Sequence, residues 1–242
     1  MRRLTFGAAP SQPSLRALAT APGALAGCRL KVYLGTMTFG WSQASVAVDT
    51  AVAIAMVRAF AVAGGSAVDT ARVYSGGAAE AIVGAACAPY AGTLRIGTKA
   101  HPSQPGGLGA AGVRAQYDAS VAALGGTSVM EEFYLHQPDT EHSLRESLIA
   151  ADALVRQGLV RRVGMSNYHA SEVERAFALC RSLGLTPPSV YQGLYNPLNR
   201  MIEQELLPLL HRNVRTDQAD PRPVLTLPLP ITNVTSACLV LV

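Results

Sequence analysis

From about residue 30 to residue 212 the chain alternates between short apolar runs and longer segments of helical periodicity. Apolar runs begin near Lys31, Ser66, Thr93, Val129, Val160 and Ser189. Each is followed by enough chain for a helix. Val52, Met56 and Phe60 are spaced by four behind Asp49, which is suited to cap a helix start. Ser143 and Glu146 have capping-box spacing ahead of the stripe Leu144, Leu148, Ala151 and Val155. Ser171 and Glu174 repeat it ahead of Val173, Ala176, Phe177 and Cys180. Gly64-Gly65, Gly125-Gly126, Gly158 and Gly184 stand where these helices should stop. Repeated strand–helix units with short links imply a parallel sheet covered by helices.

Six such units are visible, and Met201 to His211 supplies the sixth helix, with Pro208 interrupting it late. An eight-unit barrel typically takes about 250 residues, with a floor near 200. The sheet is therefore open, or it is a barrel lacking its last units. Past Arg212 the pattern dissolves. Asp217 to Pro223 is polar and broken by proline, and Pro228 and Pro230 interrupt the next apolar run. Prolines of this kind are excluded from central strands, so residues 213–242 should give at most one strand, from the segment ending Leu-Val-Leu-Val. The chain thus divides into a leader or irregular extension at 1–29, a partial barrel at 30–212 and an atypical tail at 213–242.

Composition narrows the function. The chain has 242 residues, 49% of them hydrophobic and 15% charged, which suits a packed core. The formal net charge is +4, with Lys and Arg scattered rather than striped among aromatics. That argues against nucleic-acid binding. No run of ~18 apolar residues suggests a membrane span. Cys28, Cys87, Cys180 and Cys238 lie far apart, as expected of free thiols in a reducing compartment rather than a zinc site. No metal ligand set is expected. The expected location is cytoplasmic. However, no Asp or Glu precedes Asp49, and Arg2, Arg3, Arg16 and Arg29 punctuate the first 29 residues. An Arg-rich, acid-poor leader is the mark of a plastid or mitochondrial transit peptide. An alanine-rich extension without a function is the competing reading.

Four polar residues fall at the ends of successive strands: Asp69, Tyr74, Lys99 and His136. An acid, a phenol, an amine and an imidazole delivered together can form one proton-transfer site. A free phenol titrates near 10, and a nearby ammonium stabilises its phenolate. Asp69 would keep Lys99 charged and fixed. Tyr74 would then yield its proton more readily to a developing alkoxide. Glu132 is out of keeping. Counting back by twos from His136 puts it on the inward face, where an unpaired carboxylate is costly, with inward Arg95 as its candidate partner. His101, His142, His169 and His211 show no ligand spacing and are read as surface residues.

These motifs in this order resemble the aldo-keto reductases: Asp69-Thr70-Ala71 with Tyr74, then Lys99, Leu135-His136, Gly164-Met165-Ser166-Asn167 and Tyr191-Gln192. Tyr191 to Asn196 and Gly35-Thr36-Met37 look most like the aflatoxin-aldehyde reductase branch. The resemblance implies an α/β fold of the (β/α)8 TIM-barrel type, here incomplete with about six units. It implies NAD(P)H-dependent reduction of aldehydes, ketones or small dicarbonyls to alcohols, with NADP(H) as the expected cofactor and NAD(H) as the alternative. Tyr74 would be the general acid, Lys99 and Asp69 the ion pair beside it, and His136 the residue orienting the carbonyl. Ser166, Asn167 and Gln192 would hold the nicotinamide carboxamide, and Thr36 and Met37 would line the same pocket. Ser166 and Asn167 can equally cap a helix, and Gln192 can equally satisfy backbone. The family's pyrophosphate loop and 2′-phosphate-binding residues are not found in 213–242, so activity is expected to be impaired. A non-catalytic binding or regulatory protein and a mis-spliced product are the rival readings. An oligomer is compatible with either.

Overall fold

The computed structural model describes residues 31–126, 129–196 and 198–213, together with two strands at 224–228 and 237–241. The extension expected at 1–29 lies outside the described residues. Six strand–helix units follow one another: β1 (Lys31–Gly35) and α1 (Thr50–Val62), β2 (Ala67–Asp69) and α2 (Ala78–Cys87), β3 (Arg95–Ala100) and α3 (Ala110–Ala123). Then come β4 (Met130–Leu135) and α4 (Leu144–Arg156), β5 (Val160–Ser166) and α5 (Ala170–Leu183), β6 (Val190–Gln192) and α6 (Leu206–Asn213). Strands β7 (Val224–Pro228) and β8 (Ala237–Leu241) complete a closed barrel in the order β1 to β8. The fold is an incomplete (β/α)8 barrel with six strand–helix units.

The tail corrects one expectation. It supplies two strands, not one. β7 is parallel to β6, but β8 runs antiparallel to both β7 and β1. Only residues 229–236 separate the two strands. A parallel crossover needs a dozen or more residues, whereas an antiparallel return needs few. Pro228 is the last residue of β7, two positions beyond the last pair with β6, so its missing amide donor breaks no bond of the parallel ladder.

The helix starts also differ in detail. Asp49 caps α1 by accepting from Val52 N at 2.9 Å. Ser143 caps α4 by accepting from Glu146 N at 3.2 Å. Glu146 does not return the bond. Its carboxylate accepts from Ala110 N at 2.9 Å and ties α4 to the start of α3. Helix α5 begins earlier than its Ser171 box predicts. Glu172 accepts from His169 N at 2.9 Å, so the reciprocal carboxylate selects His169 as the cap. The sixth helix is split into a 3₁₀ turn at Met201–Glu203 and α6, with Pro208 in the first turn of α6, where proline is tolerated. Gly158 and Gly184 follow α4 and α5 in the left-handed region, at φ 71° and 64°, which ends each helix at little steric cost.

Outward strand residues such as Ile96, Phe133, Leu135 and Met165 pack with Val83, Leu148 and Phe177 of the helices into the main core. The barrel interior is layered. Tyr33, Ala67, Tyr134 and Val190 fill its middle. Small residues make room for large ones across the register. Gly164 lies opposite Tyr134, and a Cβ there would meet the Tyr134 ring at 2.2 Å. Gly97 lies opposite Glu132, whose Oε2 such a Cβ would meet at 2.8 Å.

Below that layer Glu132 is fully buried, as its inward position predicts, but Arg95 is not its partner. Tyr33 donates to Glu132 Oε1 at 2.7 Å, and Arg162, directly across the β4–β5 register, donates to the same oxygen. Arg162 also reaches Glu131 at 3.1 Å, and Arg95 pairs with Glu131 at 3.3 Å. Burial and the Glu132 carboxylate push the Tyr33 phenol far above its usual range, so it stays a donor.

Candidate active site

The upper layer of the barrel is polar. Asp69 is the last residue of β2, Lys99 the penultimate residue of β3, Ser166 the last of β5 and Gln192 the last of β6. His136 follows β4 directly, and its amide donates to Ala100 O at 2.9 Å, which continues the β3–β4 ladder by one step. All these positions lie at the C-terminal ends of parallel strands, the face on which barrel enzymes build their sites.

Lys99 and Asp69 are the centre of the group, with side chains 1% and 5% exposed. Lys99 Nζ lies 2.8 and 2.7 Å from the two carboxylate oxygens of Asp69 and 2.7 Å from Thr70 O. An ammonium has three protons. Four oxygens surround them: the two of Asp69 and Thr70 O at 2.7–2.8 Å, with Tyr74 Oη farther out at 3.4 Å. The same cation lies 5.1 Å from the centre of the Tyr74 ring.

Tyr74 reaches this point on a 3₁₀ turn, Tyr74–Gly77, whose Ser75, Gly76 and Gly77 all have positive φ (51°, 64° and 97°). Ser75 is a non-glycine residue in the left-handed region, a strained conformation that its surroundings must hold. Its hydroxyl donates to Phe39 O at 2.7 Å, which ties the turn to the loop after β1.

His136 lies beside Tyr74, their ring centres 5.8 Å apart and nearly perpendicular. Burial, then Lys99 and His101, push the His136 imidazole down to about 2, so it is neutral at physiological pH. Its Nδ1 is buried without a hydrogen-bond partner among the described residues.

The expected carboxamide-binding residues also converge. Gln192 Nε2 donates to Asp69 Oδ2 at 3.3 Å. Asn167 has positive φ (61°), and its Nδ2 donates to His136 O at 3.0 Å and to Ser166 Oγ at 3.2 Å. A hydroxyl and two amides on adjacent strand ends offer the mixed donors and acceptors that a carboxamide needs, so the donor set fits that group. Thr36 is fully buried, and its hydroxyl donates to Asp69 O at 2.9 Å, so its visible work is to anchor Asp69. Met37 is 44% exposed and makes none of these bonds.

His101, expected at the surface, is instead half-buried and sets its ring edge-on to His136 with centres 5.0 Å apart. Ser103 N donates to His101 Nδ1 at 3.1 Å, which leaves the proton of the neutral ring on Nε2. The available signal was its position two residues beyond Lys99, on the same strand-end face. Among the described residues no group of His, Cys, Asp and Glu could hold a metal ion. No described helix is long and apolar enough to cross a membrane.

Comparison with known proteins agrees with this architecture. The sequence model of the Aldo/keto reductase family matches residues 31–217. Aflatoxin B1 aldehyde reductase member 2 of Rattus norvegicus is 36% identical over 209 residues, which are 84% of this chain and 55% of that protein. Human aldo-keto reductase family 7 member A3 is 36% identical over 189 residues, 77% of this chain and 55% of its own length. The chain spans about half the length of the curated relatives it matches. An aldo/keto reductase from Klebsiella pneumoniae, solved with NADP and acetate, superposes with a TM-score of 0.64 at 27% identity, covering 74% of this chain and 59% of the other. A thermostable aldo-keto reductase solved with the inhibitor epalrestat gives 0.65 at 26% identity, covering 74% and 64%. With a family match across most of its length and a polar cluster at the strand ends of the matching barrel, the chain belongs to the aldo/keto reductase family.

Proposed function

We propose that this chain reduces the carbonyl group of a small aldehyde or ketone to an alcohol, with NADP(H) as the cofactor. The observation that carries the reading is the buried Lys99 ammonium, held by Asp69 and Thr70 with Tyr74 Oη 3.4 Å away. A bound nicotinamide would supply the hydride. Ser166, Asn167 and Gln192 would hold its carboxamide. Tyr74 would hold the proton at Oη and pass it to the carbonyl oxygen as negative charge develops there. Lys99 stabilises the phenolate left behind, and Asp69 keeps the ammonium charged and aimed. His136, neutral in its buried position, would orient the carbonyl oxygen as a hydrogen-bond donor that adds no charge.

The residues named serve the nicotinamide end of the cofactor. NADPH binding is therefore expected to be weak, and turnover slow beside that of a full-length family member. Loose placement is costly, since a displacement of ~1 Å can lower a rate about a hundredfold.

Steady-state oxidation of NADPH and of NADH by the purified chain, with 4-nitrobenzaldehyde as substrate, tests the reading. Turnover abolished by Tyr74→Phe supports it. Turnover indifferent to that change refutes it. NADPH binding without turnover would assign the chain a binding role instead.

A further inference from the structure

Outside the pocket, three side chains from three elements meet in a buried network. Glu80, in the first turn of α2, is fully buried. Thr98 Oγ1 donates to Glu80 Oε1 at 2.6 Å, and Arg72 forms an ion pair with Glu80 Oε2. Thr98 is the outward neighbour of Lys99 on β3. Arg72 also donates its backbone amide to Lys99 O at 3.1 Å. Arg72 and Glu80 bracket residues 73–79, the segment that carries Tyr74 and its three positive-φ residues. The ion pair thus closes the strained loop at its base, and Thr98 fixes that base to the strand of Lys99. Gly77 supplies the space. A Cβ there would come within 1.9 Å of Arg72 Nη2.

We infer that Glu80 and Arg72 are positioning residues: their buried ion pair, anchored by Thr98, sets the distance between Tyr74 and Lys99. The inference rests on the reductase reading for its meaning but not for its geometry. Ser75, a non-glycine residue at positive φ beside Tyr74, does not hold that conformation by itself. When the ion pair is loosened, Tyr74 drifts from the ammonium and its phenolate loses stabilisation. Proton delivery then becomes slow while the carboxamide-binding residues stay in place.

The experiment has two arms. In Glu80→Gln an oxygen remains for Thr98, but the charge facing Arg72 is gone. Arg72→Lys keeps a cation. In the kinetic arm, Glu80→Gln is expected to lower kcat about tenfold with KM for NADPH within about twofold, and to raise the solvent deuterium isotope effect on kcat. Arg72→Lys should stay within about threefold of the parent. The second arm needs no activity. In protein labelled at tyrosine 13Cζ, with the Tyr74 signal assigned by its loss in Tyr74→Phe, that signal should titrate at higher pH in Glu80→Gln and near the parent value in Arg72→Lys. A folded Glu80→Gln protein whose Tyr74 titration is unchanged overturns the inference, whatever its activity. If wild type shows no turnover, the reductase reading fails and the titration still decides this one. If Glu80→Gln does not fold, the charge-neutral pair Arg72→Met with Glu80→Gln takes its place, with the same expected and overturning results.

Discussion

The barrel buries charge at two levels, and the two levels are built differently. At the base, Glu132 is engaged by Tyr33 and Arg162, and Glu131 by Arg95 and Arg162. Each carboxylate there meets at least two donors. At the top, Asp69 and Lys99 also bond each other, but the ammonium lies 3.4 Å from a phenol on a strained turn, and the neutral His136 has a buried nitrogen with no partner among the described residues. The base pairs carboxylates with guanidinium groups and a phenol that stays a donor, which stabilises shape even though Arg162 Nε finds no partner among the described residues. The upper set lies at the strand ends beside groups that can give up or take a proton, the arrangement a ligand needs. Burial alone does not separate the two, since Glu132 and Lys99 are equally hidden.

The largest expected effect falls at the top. Lys99→Met should lower kcat/KM for NADPH-dependent reduction by about 10²- to 10⁴-fold, the usual range for disabling proton transfer. A smaller loss in steady-state assays would erase the distinction between the levels. At the base, Arg162→Met removes a partner of two buried carboxylates and should cost about 3–5 kcal/mol in urea unfolding, with kcat/KM per folded molecule within a few-fold of wild type. Replacing Glu132 and Arg162 together by leucine removes the buried charges in a pair. That double variant should unfold within about 2 kcal/mol of wild type, because apolar packing can replace a buried ion pair. The equivalent exchange of Asp69 and Lys99 should leave no activity.

The smallest effect is acid sensitivity. Unfolded histidine titrates near 6.5, whereas burial, Lys99 and His101 push folded His136 down to about 2. Between those values the unfolded chain binds a proton that the folded chain does not. The stability contributed by neutral His136 is therefore complete above pH 6.5 and declines as the pH falls, by at most about 1.4 kcal/mol per pH unit. His136→Gln should flatten the fall in Tm between pH 7 and pH 5. An unchanged slope would mean that His136 is not held neutral by the fold.

Much of this was legible in the sequence, for reasons that particular residues make clear. Apolar periodicity is local, so the starts of all six strands and the courses of α1, α4 and α5 could be read along the chain. Lys99 and Asp69 could be paired because their motifs place both at strand ends. What failed was non-local. Arg162, not Arg95, partners Glu132 because the β4–β5 register sets Arg162 directly opposite, while Arg95 lies opposite none of the Glu132 neighbours in the β3–β4 ladder. His101 meets His136 only because β3 and β4 lie side by side. The Leu-Val-Leu-Val segment was visible as a strand, but its antiparallel closure against β1 depends on two ends of the chain meeting.

In the proposed reaction the upper cluster would deliver a proton to a carbonyl oxygen while a nicotinamide held beside it would supply hydride to the carbonyl carbon. It is tested most directly by incubating the purified chain with 4-nitrobenzaldehyde and NADPH carrying deuterium at both C4 positions, then weighing the alcohol by mass spectrometry. Wild type should yield 4-nitrobenzyl alcohol carrying one deuterium on its carbinol carbon, and Tyr74→Phe at least about a hundredfold less. Label transferred equally by Tyr74→Phe, or no labelled alcohol from a wild-type protein shown to bind NADPH, would contradict the account.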